Sequence, residues 1–551
     1  MEMMHKRVHI IIVLMFAFVA GGMAQVRGPL LIADRSWALS GDTVRFMVTG
    51  AGDGSGSGKV VHVRLLSPLG RTATQVMVLT AGGAGQGYMV IPDSLTSGVY
   101  RLQAAIGSGA AQRGDTTIAR LLTVYHRFAE EVTALPLPDG LLFWPSSEGS
   151  RGLIGVERER YAPRDEVLFS VTLPEGIVLK EGVVSATLGE GPFDGQSPFV
   201  LLPGNGEARA EDPLPAEENG FFIEGRVIAP AGESLPPRSM VLLSIPGEQP
   251  WFDYCLVGSD GRFRFMLRET FGTAEVYLRA IAENDEVLTV ELSDGLLPEH
   301  DGQLAHLPLS AEMSRLVKDM TEAGSYEKIF SARQEPTAPG LKILSAPPLP
   351  FYGEPEQRVI PGDYVDLPDF REISRELLPA VKFRQHGTHY ELQIISEEDN
   401  KYFGKSPLRL INGIPVFDDD LLFSLKSSDI RSIDLIYRER IFGDISFKGV
   451  VAILLNDGME QWIHGEKNLF RFTLPCLQWP VSPEGVNGVP PSGPRHLPDL
   501  RRVFLFDKVV PGEPLHFRFG LSDLKGTVVL RVEGLTPEGD LVQLTRKISV
   551  R

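Results

Sequence analysis

Apolar and polar residues alternate along several short stretches, and this period of two limits the chain more than anything else in its sequence. Val44, Phe46 and Val48 alternate with Arg45, Met47 and Thr49, and Val61, Val63 and Leu65 alternate with His62 and Arg64. Successive side chains of a strand point to opposite faces, so each stretch is expected to be a strand with one buried face. The segment 50–58 (GAGDGSGSG) lies between them as a turn, and Gly98-Val99-Tyr100-Arg101-Leu102 opens a further strand. Short strands at this spacing indicate β-sandwiches. The 57 Gly and 41 Pro follow no collagen repeat and supply the many turns such folds need. A length of 551 residues exceeds one core and implies three to five domains.

The stretch Asp34-Arg35-Ser36-Trp37-Ala38-Leu39-Ser40-Gly41-Asp42-Thr43-Val44 resembles the opening of a macroglobulin-type (MG2) domain, and Ser97 to Leu102 resembles its closing Gly-x-Tyr strand. In that turn Gly41 supplies a free φ and Asp42 can bond its own backbone. The phrase recurs as Arg160-Tyr161-Ala162-Pro163-Arg164-Asp165-Glu166-Val167, which implies tandem related sandwiches. Farther on, Phe222 to Val227 and the hairpin signal Gly258-Ser259-Asp260-Gly261-Arg262-Phe263 resemble a carboxypeptidase-regulatory-like β-sandwich. Asp260 could ligate calcium, but a plain turn explains it better. Met313, Leu316, Val317 and Met320 then fall on one face of a helix. A Pro-rich connector (346–350) and a short helix from Asp369 to Leu378 follow.

Residues 381–458 carry Leu408 to Val416 with an Asn412-Gly413 turn, a helix opened by Asp418-Asp419-Asp420, then Asp429 to Tyr437 and Gly449 to Leu455. This order resembles the plug domain of TonB-dependent outer-membrane receptors. A receptor barrel of some 22 strands has no counterpart in the remaining sequence, so the resemblance implies a borrowed fold without a self-formed pore. The tail, with Pro498 to Val503 and Ser522 to Gly526, resembles the terminal sandwich of exported Bacteroidota-type proteins that combine macroglobulin-like and plug-like domains; a secretion-signal domain is the alternative. The expected fold class is therefore mainly β: tandem immunoglobulin-like or macroglobulin-like sandwiches plus one small α+β plug-like domain. The expected boundaries are 1–24 leader, 28–126 and 150–212 macroglobulin-like sandwiches, 220–298 regulatory-like sandwich, 299–380 connector, 381–458 plug-like domain and 459–551 C-terminal sandwich.

The leader reading rests on Lys6-Arg7, an apolar run from Val8 to Ala20 and a small-residue site ending at Ala24. The run is short for a bilayer span, and Gln25 after the cut disfavours lipidation. Export to the periplasm, the cell surface or the outer membrane is the expectation. A net charge of −17 repels phosphate backbones and argues against nucleic acid. The two cysteines, Cys255 and Cys476, fall in different expected domains and are read as free thiols.

Chemistry-bearing motifs are weak. The macroglobulin resemblance raises a Cys-x-x-Gln thioester, but Gly258 and Trp479 stand where Gln is required. Gly404-Lys405-Ser406 imitates the end of a phosphate loop, yet position 399 is Asp. His386 and His389, taken as one strand, would face opposite sides and make a poor metal site. Trp37, Trp251 and Trp479 suit core packing better than a sugar-binding face. No catalytic, cofactor or metal residue is therefore assigned, and no cofactor is expected. The expected role is a non-enzymatic scaffold that binds an envelope protein, an outer-membrane channel being one candidate, with room for peripheral membrane association. A carbohydrate- or peptide-binding surface protein is the alternative, and a hydrolase with a composite carboxylate site a more remote one.

Overall fold

The structure is a computed structural model that describes residues 29–51, 57–106, 117–128, 134–144, 153–173, 177–194, 197–202, 217–229, 234–247, 250–282, 287–293, 304–309, 311–330, 342–344, 349–387, 389–396, 400–403, 407–443, 445–457, 469–479, 498–509, 515–537 and 540–551. The leader at 1–24, the core of the 50–58 turn, most of the connector at 346–350 and Gly404–Ser406 lie outside the described residues. The fold is mainly β, as the alternation requires. The chain divides into two compact units. The first comprises 1–221, 295–339 and 477–551; the second comprises 222–294 and 340–476.

The first unit holds two sandwiches of the same topology. In the first, Leu30–Ala33, Thr43–Thr49 and Gly85–Val90 form one sheet. The facing sheet places Thr117–Tyr125, Gly98–Ile106, Val60–Leu66 and Thr72–Leu79 side by side, with Trp37–Leu39 parallel to Thr117–Tyr125. In the second, Leu153–Val156, Glu166–Thr172 and His516–Gly520 form the three-stranded sheet. Its five-stranded partner runs Arg160–Tyr161, Leu541–Val550, Gly526–Leu535, Glu181–Leu188, Val503–Val509. Strand for strand, the two orders coincide.

Local details repeat as well. The Leu39 N–H donates to Asp42 Oδ2 and the Ala162 N–H to Asp165 Oδ2, each at 2.9 Å. Gly41 and Arg164, one residue before these aspartates, both adopt the left-handed conformation, with φ of 81° and 65°. That conformation is free for glycine but costs a side-chain-bearing residue about 1–2 kcal/mol. Arg164 is held by a two-pronged ion pair to Asp523, at 2.6 and 2.7 Å.

The second sandwich corrects the expected boundaries. The stretches 150–212 and 459–551 are not two domains: strand 181–188 pairs with both 503–509 and 526–535. Where the first sandwich turns from Leu66 to Thr72, the second leaves at Leu188 and returns at Val503. The intervening 189–502 is an insertion into that one connection, and it contains both segments of the second unit. Within 150–212, Phe199–Leu202 leaves its own sandwich and joins the first. Likewise Phe470–Pro475, placed by sequence in the C-terminal domain, pairs with Thr273–Ile281.

Buried charges join the two sandwiches. Arg120 Nη1 donates to Glu533 Oε2 at 2.7 Å, and Arg531, which is paired with Asp194 at 3.1 and 2.6 Å, also donates from Nη2 to Ser36 Oγ at 3.3 Å. Asp42 lies between Arg502 and Arg35. Burial alone would raise its carboxyl, but the two guanidiniums overcome that and hold it below the usual range. The helix Ala311–Phe330 buries Met313 and Met320 in the core of this unit, as its spacing implies.

The second unit begins with a sheet whose order is Trp251–Leu256, Met240–Ile245, Thr273–Ile281, Val287–Leu292, Gly220–Ile228, Arg262–Arg268, with Phe470–Pro475 also against Thr273–Ile281. An α+β region follows. Its five-stranded sheet runs Gln357–Val359, Ile430–Phe442, Ile445–Leu455, Leu408–Ile411, Ile414–Pro415. The helices Phe370–Leu377 and Asp419–Phe423 are capped by Asp369 and Asp418, whose side chains accept backbone N–H bonds. One core joins Val359, Phe370, Ile373 and Leu378 to Leu392, Ile433 and Ile453. The expected start at 381 was therefore too late: residues read as connector supply an edge strand and a core helix.

Candidate interaction site

The edge strand Gln357–Val359 leads into a short loop that differs from the rest of the α+β region. Val359 is buried opposite Ile433, but Ile360, Tyr364 and Val365 are 48%, 58% and 81% exposed. The loop is firmly held. The Asp363 and Tyr364 N–H groups each donate at 3.1 Å, to the carbonyls of Ile360 and Pro361. Ser427 Oγ donates to Asp366 Oδ1 at 2.5 Å and accepts the Leu367 N–H at 2.8 Å. Asp363 and Asp366 are exposed beside the apolar side chains. Large apolar groups fixed in water by surrounding hydrogen bonds suit a contact with another molecule. Nothing periodic in this stretch advertised it. The local signal was three large apolar residues, Ile360, Tyr364 and Val365, set around Pro361, Gly362 and Asp363, too few to form a periodic face.

A shallow cleft of about 100 Å³ lies on the same sheet, lined by Tyr352, Arg358, Asn412, Ser432 and Asp434 among others. It is well below the roughly 300–1,000 Å³ that encloses a small ligand. Its carboxylate is committed: Asp434 accepts from Arg358 Nε and Nη2 at 2.6 and 2.7 Å and from the Tyr352 hydroxyl at 3.1 Å. Burial, and then the adjoining Asp434 charge, raises the Tyr352 hydroxyl far above its usual range. An engaged carboxylate and a tyrosine that resists ionisation make a structural brace, poorly suited to proton transfer.

The residues weighed from sequence are scattered. Both cysteines are free; Cys476 is buried, and burial pushes its thiol up to about 12, while Cys255 is half-buried. Trp37 is buried edge-on to Tyr125 at 6.0 Å. Asp260 Oδ1 accepts the Arg262 N–H at 3.0 Å across the left-handed Gly261, which makes it a turn residue. His386 and His389 do not share one strand. They are register partners across a hairpin of Val381–His386 and His389–Ile394. His389 Nδ1 lies 2.9 Å from Asp420 Oδ2. Among the described residues, no group of three or more potential metal ligands converges, and no helix is long and apolar enough to cross a membrane.

No family model matches the sequence, and no curated protein matches it either. Among solved structures it is similar to trypsin-activated alpha-2-macroglobulin from Escherichia coli, at 9% identity and a TM-score of 0.21 over 96% of this chain and 42% of that one. A mutant alpha-2-macroglobulin from Salmonella gives 11% identity and a TM-score of 0.21 over 95% and 39%. The native conformation of the E. coli protein gives 9% and 0.21 over 96% and 40%. The chain spans about two fifths of the length of the structures it matches.

Proposed function

We propose that this protein is an exported cell-envelope scaffold that works by binding another protein and performs no catalysis. The observation that carries the reading is the pinned loop at 360–367, which presents Ile360, Tyr364 and Val365 to solvent from the inserted unit. Two sandwiches of one topology, locked by buried ion pairs, suit a rigid support, and chain inserted into a loop of such a support is a common place for binding function. The resemblance of 28–126 to a macroglobulin-type domain and of 381–458 to a receptor plug favours an envelope partner, an outer-membrane channel among them. The leader at 1–24 favours export.

A photo-crosslinking amino acid at position 365, in cells making the full chain, tests this. One discrete adduct with an envelope protein is expected, absent when the crosslinker sits at the buried position 359. No adduct, or an indiscriminate ladder, argues against a specific partner at this loop.

A further inference from the structure

The two sandwiches differ at one equivalent place. In the first, the last strand does not end its sheet: Phe199–Leu202 lies antiparallel along its first half, with Arg120 facing Phe199 and Thr117 facing Leu202. The corresponding positions of the second sandwich follow from register. Leu102 faces Arg120 and Leu530 faces Arg546, so Thr117–Arg120 corresponds to Gln543–Arg546. Among the described residues no strand lies along that side; only Ser549 and Val550 pair there, with Arg160 and Tyr161. The Ser549 N–H donates outward to the Glu159 carbonyl at 2.9 Å. By the period of two, the backbone groups of Gln543, Thr545 and Lys547 face the same way.

A second difference points to the same place. Leu30 faces Thr49, and its counterpart Leu153 faces Thr172. Leu30 is 0% exposed, in a cluster with Ile118 and Phe199 and with Val183, Val503, Phe506 and Leu541 of the second sandwich, whereas Leu153 is 59% exposed. Leu153 belongs to the strand that packs against Leu541–Val550. An open strand edge and an uncovered leucine thus coincide where the first sandwich has its added strand.

We propose that the edge at Gln543–Lys547 accepts an extended strand from a partner protein, antiparallel, in the manner of Phe199–Leu202 on the first sandwich. The positions facing the Leu544 and Leu153 side take apolar residues, as Phe199 and Leu201 do on Arg120 and Ile118. The alternate positions, opposite the exposed Thr545 and Lys547, take polar residues, one of them acidic. Lys547, on that face, pairs with Glu190, and an acidic ligand residue opposite it would share that lysine. The proposal rests on the binding role above and names a site and a class of ligand for it.

The probe is a labelled peptide based on residues 197–202, with Glu in place of Pro198 and Thr in place of Val200 so that the positions opposite Lys547 and Thr545 are acidic and polar, titrated against the full chain by fluorescence anisotropy. Saturable binding is expected, weakened about tenfold by Thr545→Pro and by Leu153→Asp and unchanged by Thr545→Ala. Proline removes an outward N–H, a change that edge strands tolerate. Should Thr545→Pro not fold, two peptides N-methylated on alternate residues decide on the unaltered protein, since only one of the two sets should abolish binding. No saturable binding, or equal binding by both methylated peptides, overturns the proposal. Loss of peptide binding while crosslinking from position 365 persists removes this edge and leaves the binding role standing.

Discussion

Arg120 and Glu533 belong to different sandwiches, and their ion pair is the most deeply buried link between them, with side chains 0% and 1% exposed. Arg120→Met would leave the Glu533 carboxylate in the interior with the Gln543 amide, at 3.4 Å, as its remaining hydrogen-bond partner. Removing one member of a buried pair costs about 3–5 kcal/mol, because the other charge stays desolvated. At a urea m-value of about 2 kcal/mol/M, that lowers the unfolding midpoint of this unit by roughly 1.5–2.5 M. Glu533→Leu should do the same and also strand the Arg120 guanidinium over the Phe199 ring, 5.2 Å from its centroid. The double variant Arg120→Met/Glu533→Leu removes both charges and should be more stable than either single one. Urea unfolding of the four proteins, followed by far-UV circular dichroism, measures this. A single variant within about 0.3 M of the parent, or a double variant that loses the sum of the two, would refute a buried, coupled pair.

Other charged sites give pH-dependent expectations. Burial raises the Asp253 carboxyl, against a weaker opposing bond from the Tyr254 N–H. Its ionised form is therefore destabilising in the fold, and Asp253→Asn should raise the melting temperature at pH 7. That advantage should vanish as pH falls below the unfolded carboxyl value of about 3.9. Asp523 has the opposite sign: the hydrogen bonds from Arg164 hold its carboxyl low. Its contribution is present above about pH 4 and is lost as pH falls through the depressed folded value, so Asp523→Asn should lower stability at pH 7 and converge with the parent in acid. In the α+β region, Phe370 is fully buried. Phe370→Ala should cost about 3–5 kcal/mol, seen as a lower thermal midpoint for the second unit.

Much of this fold was legible locally. The alternation at Val44–Val48 and Val61–Leu65 marked strands, the two Asp turns marked the sandwich starts, and Asn412-Gly413 marked a hairpin whose residues take φ of 51° and 81°. Partnership was not legible. Glu181–Leu188, buried at every position after Glu181, reads the same whether its neighbour lies five residues away or more than three hundred, because a strand's side-chain pattern encodes its faces and not its partners. The sequence therefore predicts two domains where one sandwich is split, and it places Phe199–Leu202 in the wrong one. The loop at Ile360–Val365 escaped notice because side chains kept in solvent leave no burial pattern.

The second sandwich is completed across the insertion, and the unmodified protein can report this. Lys547 forms an ion pair with Glu190, two residues beyond strand Glu181–Leu188. A zero-length carbodiimide reaction followed by peptide mass spectrometry should recover an amide link between the peptides containing these two residues. Coupling of Lys547 solely to carboxylates within 498–551 would contradict it and return the C-terminal stretch to a domain of its own.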